Sequence, residues 1–390
     1  MSQETHQNQW IWQQQGWPDF IWDRDALAIT LREVTQLQGT LLGKAYAITA
    51  NSSAESNLDA LLQNIVQSSA IEGEAVNEES VRSSLAKRLG VEQAGLTAAT
   101  EATEGLVALL LDATQNYDQP LTLDRIYQWH RYLFPDTAGE AFTLREVAVG
   151  KLRGDEPMQV VSGRIDKQTV HFEAPPKTAA DENSISLEDQ LNDFLAWLQK
   201  SEADKSLDPI LRAAQAHLWF VTLHPFDDGN GRLARAITDY ALAQAEHQAI
   251  RFYAMAASIM EDRKGYYDIL ESTQKGDLDI TTWMQWFLDT LKHTLETALE
   301  RTDFVLKKSR FWQTHAQDGL NTAQTKVLNR LLDAGPEGFE GGLSAAKYKG
   351  LAKVSKATAT RHIQELLEKS CIVKLEGGGR STRYDINWVD

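Results

Sequence analysis

The sequence predicts a mostly α-helical protein: a helical core with a β-hairpin flap, followed by a small C-terminal winged helix domain. Three observations lead there. Apolar residues recur every three or four positions through most of the chain, the period of an amphipathic helix. One stretch, from about 142 to 176, alternates apolar and polar residues instead and ends in Pro175-Pro176, as short strands do. Residues 319–390 change plan again, with three short helical patterns and then two strand-like runs around Gly377-Gly-Gly379, the order of a helix-turn-helix with a wing.

The elements follow in chain order. Residues 1–48 cluster Trp10, Trp12, Trp17 and Trp22 with Pro18 and Phe20. That much aromatic surface needs covering, so the segment reads as a strap packed on the core, with a helix over about 25–43. Residues 49–115 hold the next helices. Leu58, Leu61, Leu62, Ile65 and Val66 mark one that stops at Gly73. Asn77 caps a second, bearing Val81, Leu85 and Leu89, and a third covers 102–115. Residues 116–300 form the central domain. It has helices over 121–134, 187–199, 209–223 and 233–245, and more from 253 towards 312. Its strands are expected at 146–149, 158–161 and 169–172. Residues 301–318 connect to the last domain, 319–390. There helices are expected over 323–332, 344–351 and 356–368, with a hairpin from 372–375 to 381–386.

Bulk properties narrow the class. A chain of 390 residues suggests two or three domains. Its 42% hydrophobic and 24% charged residues suit a soluble globular protein. The single cysteine, Cys371, excludes an intrachain disulfide and fits a reducing compartment, where it would pack in the small C-terminal core. The polar N-terminus MSQETHQNQW does not read as a signal peptide. No apolar run approaches the roughly 20 residues of a membrane helix. A cytoplasmic protein is expected.

The net charge of -16 opposes nucleic acid as a partner of the whole surface. Residues 319–390, however, carry 11 basic and 8 acidic residues, a net of +3 that leaves -19 on the rest. Within 344–383 nine basic residues face three acidic ones. Lys356, Thr358, Thr360 and Arg361 fall on the expected recognition helix, and Arg380 and Arg383 flank the wing. This is the charge footprint of a DNA-contacting module, although the same fold also serves protein interaction.

The chemistry concentrates in His224-Pro-Phe-Asp-Asp-Gly-Asn-Gly-Arg-Leu-Ala-Arg235, a loop between two helical patterns whose far end opens a helix. Asp228-Gly-Asn-Gly231 can adopt a nest-like backbone in which several N–H groups converge on an anion. The N-terminus of the following helix adds its free N–H groups and dipole. Arg232 and Arg235, three residues apart, share one side of its first turn and offer forks to phosphate oxygens. Asp228 is a hard oxygen ligand suited to Mg²⁺, and His224 can serve as a general base. Base, metal carboxylate, anion nest and arginine pair are what nucleotidyl transfer from ATP needs. Each element alone is more often structural: a His-Pro helix end, a glycine turn, a solvated arginine pair. What points to function is their joint order.

This run matches all eight specified positions of His-x-Phe-x-Asp/Glu-Gly-Asn-Gly-Arg-x-x-Arg, and so resembles the signature of the Fic family over most of residues 50–300. The resemblance implies an adenylyltransferase that moves AMP from ATP·Mg²⁺ to a Ser, Thr or Tyr hydroxyl of a target protein, and to itself. It makes His224 the general base and Asp228 the Mg²⁺ ligand. Gly229, Asn230 and Gly231 would line the α- and β-phosphate site, with Arg232 on the β-phosphate and Arg235 on the γ-phosphate. Pro225 and Phe226 would shape and anchor the loop. Gly231 stands where phosphoryl-transferring relatives carry Lys, which favours AMP transfer. The target would add a strand to the flap, within 147–172. Tyr266 lies where relatives place a residue near the nucleotide, and a core aromatic is the competing reading.

Ser68-Ser-Ala-Ile-Glu72-Gly73 resembles the family's inhibitory helix at all three specified positions. The resemblance implies that Glu72 pairs with Arg235. One guanidinium fork cannot hold both a carboxylate and a γ-phosphate, so the pair would block productive ATP binding. Two alternatives stay open. In one, a winged-helix DNA-binding regulator uses the same domain to sense ATP. In the other, the enzyme removes AMP, with Glu72 positioning water. No membrane partner is expected, and a homodimer is left open.

Overall fold

The structure is a computed structural model that describes residues 10–46, 50–91, 98–135, 147–164, 167–179, 185–335, 338–375 and 382–388. It is mostly helical, with two two-stranded antiparallel sheets among the described residues. The chain divides into two compact units. One comprises Met1–Thr40 and Thr49–Glu296, the other Leu41–Ile48 and Thr297–Asp390. No described helix is long and apolar enough to cross a membrane.

In the larger unit a short 3-10 turn, Ile11–Gln13, precedes α1 (Arg24–Tyr46). Three of the four tryptophans ahead of α1 are tied down. Trp12 Nε1 donates to the Glu173 carbonyl at 2.7 Å, and Trp10 meets Phe172 edge-on at 5.4 Å. Trp17 and Phe20 pack against Trp219, and Ile21 exchanges backbone hydrogen bonds with Leu278 and Ile280. Helices α2 (Ala50–Ile71), α3 (Glu78–Leu89), α4 (Glu101–Gln115) and α5 (Leu123–Leu133) follow. Leu58, Leu61, Leu62 and Ile65 of α2 share one buried cluster with Val81 and Leu85 of α3 and Val107 of α4. Asn77 caps α3 by accepting from the Ser80 N–H at 2.9 Å.

Strands β1 (Gln159–Arg164) and β2 (Lys167–Glu173) form the flap, with a bulge between Val160 and Val161. The strand expected over 146–149 does not form. Residue 146 lies outside the described residues, and 147–149 is a loop leading into Gly150 at φ +66°. Its backbone is engaged elsewhere: Ala148 N–H donates to Asp227 and Gly150 N–H to His130. Then come α6 (Leu187–Ser201), α7 (Pro209–Leu223), α8 (Asn230–Glu246), α9 (Met255–Glu261), α10 (Arg263–Gln274) and α11 (Thr281–Thr314). Residues 210–223 of α7 are all buried, as is nearly all of α8 to residue 244, so these two helices form the centre of the core.

The smaller unit builds its own core from the end of α11, α12 (Thr322–Leu332), α13 (Ala345–Ala352), α14 (Lys356–Glu368), β3 (Ile372–Lys374) and β4 (Tyr384–Ile386). The expected glycine tip and Arg380 lie outside the described residues. Cys371 is fully buried, and burial pushes its thiol up to about 11. It sits near His315, whose Nδ1 is 2.6 Å from Asp318 Oδ2. Two ligands of one tetrahedral ion stand further apart than that, about 3.3 Å for bonds of about 2 Å, so these three side chains form a hydrogen-bonded knot.

Candidate active site

The loop between α7 and α8 is held from three sides. At its start, His224 ends α7 in a left-handed conformation, φ 46° and ψ 57°, uncommon for a non-glycine residue and seen here also where His247 ends α8. Phe226 is fully buried. Asn230 clamps the loop across its own turn. Its Oδ1 accepts from the Phe226 N–H at 3.0 Å and its Nδ2 donates to the Phe226 carbonyl at 2.8 Å. Both ends of that amide are thus committed inward, contrary to the expectation that the Asn230 side chain lines a phosphate site. What Asn230 can offer a ligand is its backbone N–H. Gly229, at φ +81°, turns the chain into α8, and a Cβ there would stand 3.0 Å from Leu133.

Two residues that sequence reasoning missed complete this support. His130 of α5 stacks on Phe226 with ring centroids 4.2 Å apart. Its Nδ1 accepts from the Gly150 N–H at 2.9 Å, which leaves Nε2 as the donor to the Asp228 carbonyl at 3.2 Å. Burial holds this imidazole down to about 4, so it is a neutral strut. Arg153, 1% exposed, donates from Nε to the His224 carbonyl at 2.9 Å and from Nη2 to the Pro175 carbonyl. Its own N–H donates to the Pro225 carbonyl at 3.0 Å. One side chain therefore joins the flap base to the reactive loop. Arg153→Ala is expected to cost about 2–4 kcal/mol of folding stability, because two buried carbonyls lose their donor. Chemical denaturation at neutral pH measures it, and an unchanged midpoint would contradict this role.

His224 lines a cleft of about 570 Å³ together with Glu72, Asp227, Gly231 and Tyr267 and the flap residues Val160 and His171. Its Nδ1 faces the Val221 carbonyl at 3.3 Å, an acceptor only, so Nδ1 carries the proton and Nε2 keeps its lone pair. Burial pushes this imidazole down to about 4, so it is neutral at pH 7 and ready to accept a proton. Asp228 holds the Gly229 N–H at 2.5 Å and keeps its side chain 58% exposed, an oxygen donor open to a cation.

The arginines do not line this cleft. Arg235, 4% exposed, donates from Nε to Ser68 Oγ at 2.8 Å, and from Nη2 to the Ser68 carbonyl and Glu72 Oε1, each at 2.8 Å. Arg232, 6% exposed, lies over the Phe134 ring and donates to Glu74 Oε2 at 2.6 Å. Burial works against the Glu72 charge, but Arg235 outweighs it and holds the carboxyl below its usual range. Glu72 stands over the start of α8. A Cβ on Gly231 would come within 2.2 Å of Glu72 Oε1. Glycine at 231 thus leaves room for the carboxylate, a consequence that the sequence alone did not suggest.

The end of α2 is held from α10. The Ile71 carbonyl accepts from Arg263 Nε and from the Tyr267 hydroxyl, which also lies 3.3 Å from Glu72 Oε2. Tyr267 is the α10 aromatic against Glu72. Tyr266 is 1% exposed, and its hydroxyl lies 2.9 Å from His217 Nε2 among Trp286 and other rings. Tyr266 thus packs in the core and also lines the same cleft as its neighbour Tyr267, so the two expected readings of it meet at one position. Neighbouring helical residues point about 100° apart, and the sequence does not say which of two tyrosines turns inward.

Two segments of the chain match known domains. Residues 120–242 match the Fic/DOC family, and residues 10–91 match a domain of unknown function, DUF4172. The chain is 34% identical over 131 residues to a uridine 5'-monophosphate transferase of Xanthomonas campestris, covering 32% of this chain and 21% of that protein. It is 28% identical over 251 residues to a protein adenylyltransferase Fic of Aedes aegypti, covering 63% and 43%. The crystal structure of a Fic family protein from Desulfovibrio desulfuricans shares its fold, with a TM-score of 0.52 at 18% identity over 93% of this chain and 95% of that one. The helical core, hairpin flap and this loop share the fold of that Fic family protein, and residues 120–242 carry a domain that matches the Fic/DOC family. The chain spans between a fifth and less than half of the length of these two curated relatives.

Proposed function

We propose that this protein transfers AMP from ATP·Mg²⁺ to a Ser, Thr or Tyr hydroxyl of a target protein, and that Glu72 restrains it. The observation that carries the reading is the arrangement of one cleft. A neutral His224 stands beside a glycine nest and a helix N-terminus, and the carboxylate of Glu72 occupies the arginine that phosphate would need. In this reading His224 Nε2 takes the proton of the acceptor hydroxyl, and the oxygen forms a bond to the α-phosphorus. The bond to the β-phosphate oxygen breaks, and pyrophosphate leaves. Arg232 and Arg235 hold its charge once Glu72 has moved. Mg²⁺ would neutralise the phosphates, and Asp228 would hold it. Exposed Val161 and Val170 beside the cleft suit a target strand added to the flap.

The curated relatives include both AMP and UMP transferases, so the nucleotide is part of the proposal. Full-length protein is incubated with cell lysate and with ATP or UTP labelled on the α-phosphate. Protein-bound label from ATP exceeding that from UTP is the expected result. Label from UTP alone would overturn the choice of AMP, and label from neither, in Glu72→Gly as well as wild type, would overturn the transfer.

A second reading concerns the smaller unit. The order α12, α13, α14, β3 and β4, with Lys356, Thr360 and Arg361 exposed on α14, suits a winged helix that meets nucleic acid. Thr358 is only half-exposed, with its N–H donated to the capping Ser355. The salt dependence of duplex DNA binding separates this reading from protein docking.

A further inference from the structure

Glu74 has no part in the reading so far, yet it makes the shorter of the two arginine contacts. The end of α2 explains how it arrives there. Glu74 N–H donates to the Ser69 carbonyl at 3.0 Å and Gly73 N–H to the Ala70 carbonyl at 2.9 Å, with Gly73 at φ +82° between them. This is a Schellman turn, and it reverses the chain within one residue. As a result Glu72 and Glu74, on either side of Gly73, both face the first turn of α8. Glu72 Oε1 meets Arg235 Nη2 at 2.8 Å, and Glu74 Oε2 meets Arg232 Nη1 at 2.6 Å.

We infer that Glu74 is a second arm of the lock: one helix terminus occupies both arginines of the phosphate site, Glu72 holding Arg235 and Glu74 holding Arg232. The inference rests on the reading of both arginines as phosphate ligands. Arg232 is well placed to be held. Its side chain is 6% exposed and its guanidinium lies 5.2 Å from the Phe134 ring centroid, so its head has little freedom to turn to a ligand while Glu74 is bound. Asp228, at 3.9 Å, is the neighbouring carboxylate. Three carboxylates, Glu72, Glu74 and Asp228, thus surround two guanidinium groups, and an incoming polyphosphate must displace two of them and meets a field already neutralised. Burial and the nearby Asp228 and Glu72 raise the Glu74 carboxyl, which fits acidic groups crowded together. Glu74 is 44% exposed, so its arm is the weaker in energy, as solvent screens it. Removing Glu72 alone then frees only half of the phosphate site.

The test uses full-length protein with Mg²⁺ and a non-hydrolysable α,β-methylene ATP analogue, with calorimetry as the readout and no target present. Wild type, Glu72→Gly, Glu74→Gln and the double variant are compared, with thermal melts to confirm folding. The double variant is expected to bind the analogue about fivefold or more tightly than Glu72→Gly, and, in a separate assay with α-labelled ATP and cell lysate, to label protein faster. Glu74→Asp in the Glu72→Gly background keeps the charge but shortens the reach, and is expected to gain part of that affinity. Equal affinity and labelling in Glu72→Gly and the double variant would overturn the second arm while leaving the phosphate site intact. No binding of the analogue by any variant would overturn the phosphate site, and the second arm with it.

Discussion

His224→Ala is expected to lower protein labelling from α-labelled ATP by roughly 10²–10⁴-fold, the usual contribution of a positioned general base. The expectation follows from three features. The ring lines the cleft, its Nδ1 is committed to the Val221 carbonyl, and burial keeps it neutral at pH 7. Alanine removes the lone pair on Nε2 but leaves the anion nest, the arginines and Asp228. Nucleotide affinity should therefore stay within a few-fold while turnover collapses, the pattern of a group that acts in the transition state. Single-turnover labelling and analogue binding, measured on the same preparation, separate the two quantities. Labelling by His224→Ala within threefold of its parent would remove His224 from the chemistry.

Glu72→Gly is expected to move activity and stability in opposite directions. A hydrogen bond between charged groups contributes about 1.5–3 kcal/mol, so freeing Arg235 can raise nucleotide affinity and labelling by about 10–100-fold. The lower part of that range is expected while Glu74 still holds Arg232. The same change leaves Arg235, buried and charged, with Ser68 as its remaining partner at the α2 end. It also removes the carboxylate against Tyr267. A loss of about 1–2 kcal/mol is expected, discounted because the Glu72 side chain is 30% exposed. Urea unfolding monitored by circular dichroism measures the stability, and α-phosphate labelling the activity. Labelling no higher than wild type across several lysates would remove Glu72 as a brake. A gain in activity with no loss of stability would mean that the pair contributes little to the fold.

How much of this was legible in advance varied with the kind of interaction. Local patterns read well. The N-cap at Asn77, the glycine stop at Gly73 and the start of a helix just after the glycine nest depend on neighbours in sequence, and the observed α2, α3 and α8 follow from them. The segment expected as a strand at 146–149 is a loop over 147–149, where the Ala148 N–H is taken by Asp227, 79 positions away, and the adjoining Gly150 N–H by His130. The placement of Tyr266, in the core and at the cleft edge, depended on packing for a related reason. Tyr266 and Tyr267 are both aromatic at adjacent helical positions, and only the packing of His217 and Trp286 decides which turns inward.

The site divides along the same line. The order of residues from His224 to Arg235 was enough to name a base, an anion nest, a metal carboxylate and two arginines, since that chemistry follows from side-chain type and spacing within one loop. The pairing of Glu72 with Arg235 was expected from the sequence by resemblance, and the pairing of Glu74 with Arg232 was not. His130 and Arg153 gave no signal either. The contacts His130–Asp228, Arg153–His224 and Glu74–Arg232 join residues 71 to 158 positions apart, and no local periodicity encodes a hydrogen bond across that separation. By itself the sequence determined which groups could perform the chemistry. Packing of α2 and α5 and of the flap base onto the α7–α8 loop decided which of them are aligned, which are neutral and which are already occupied, because burial and partner charges act through space.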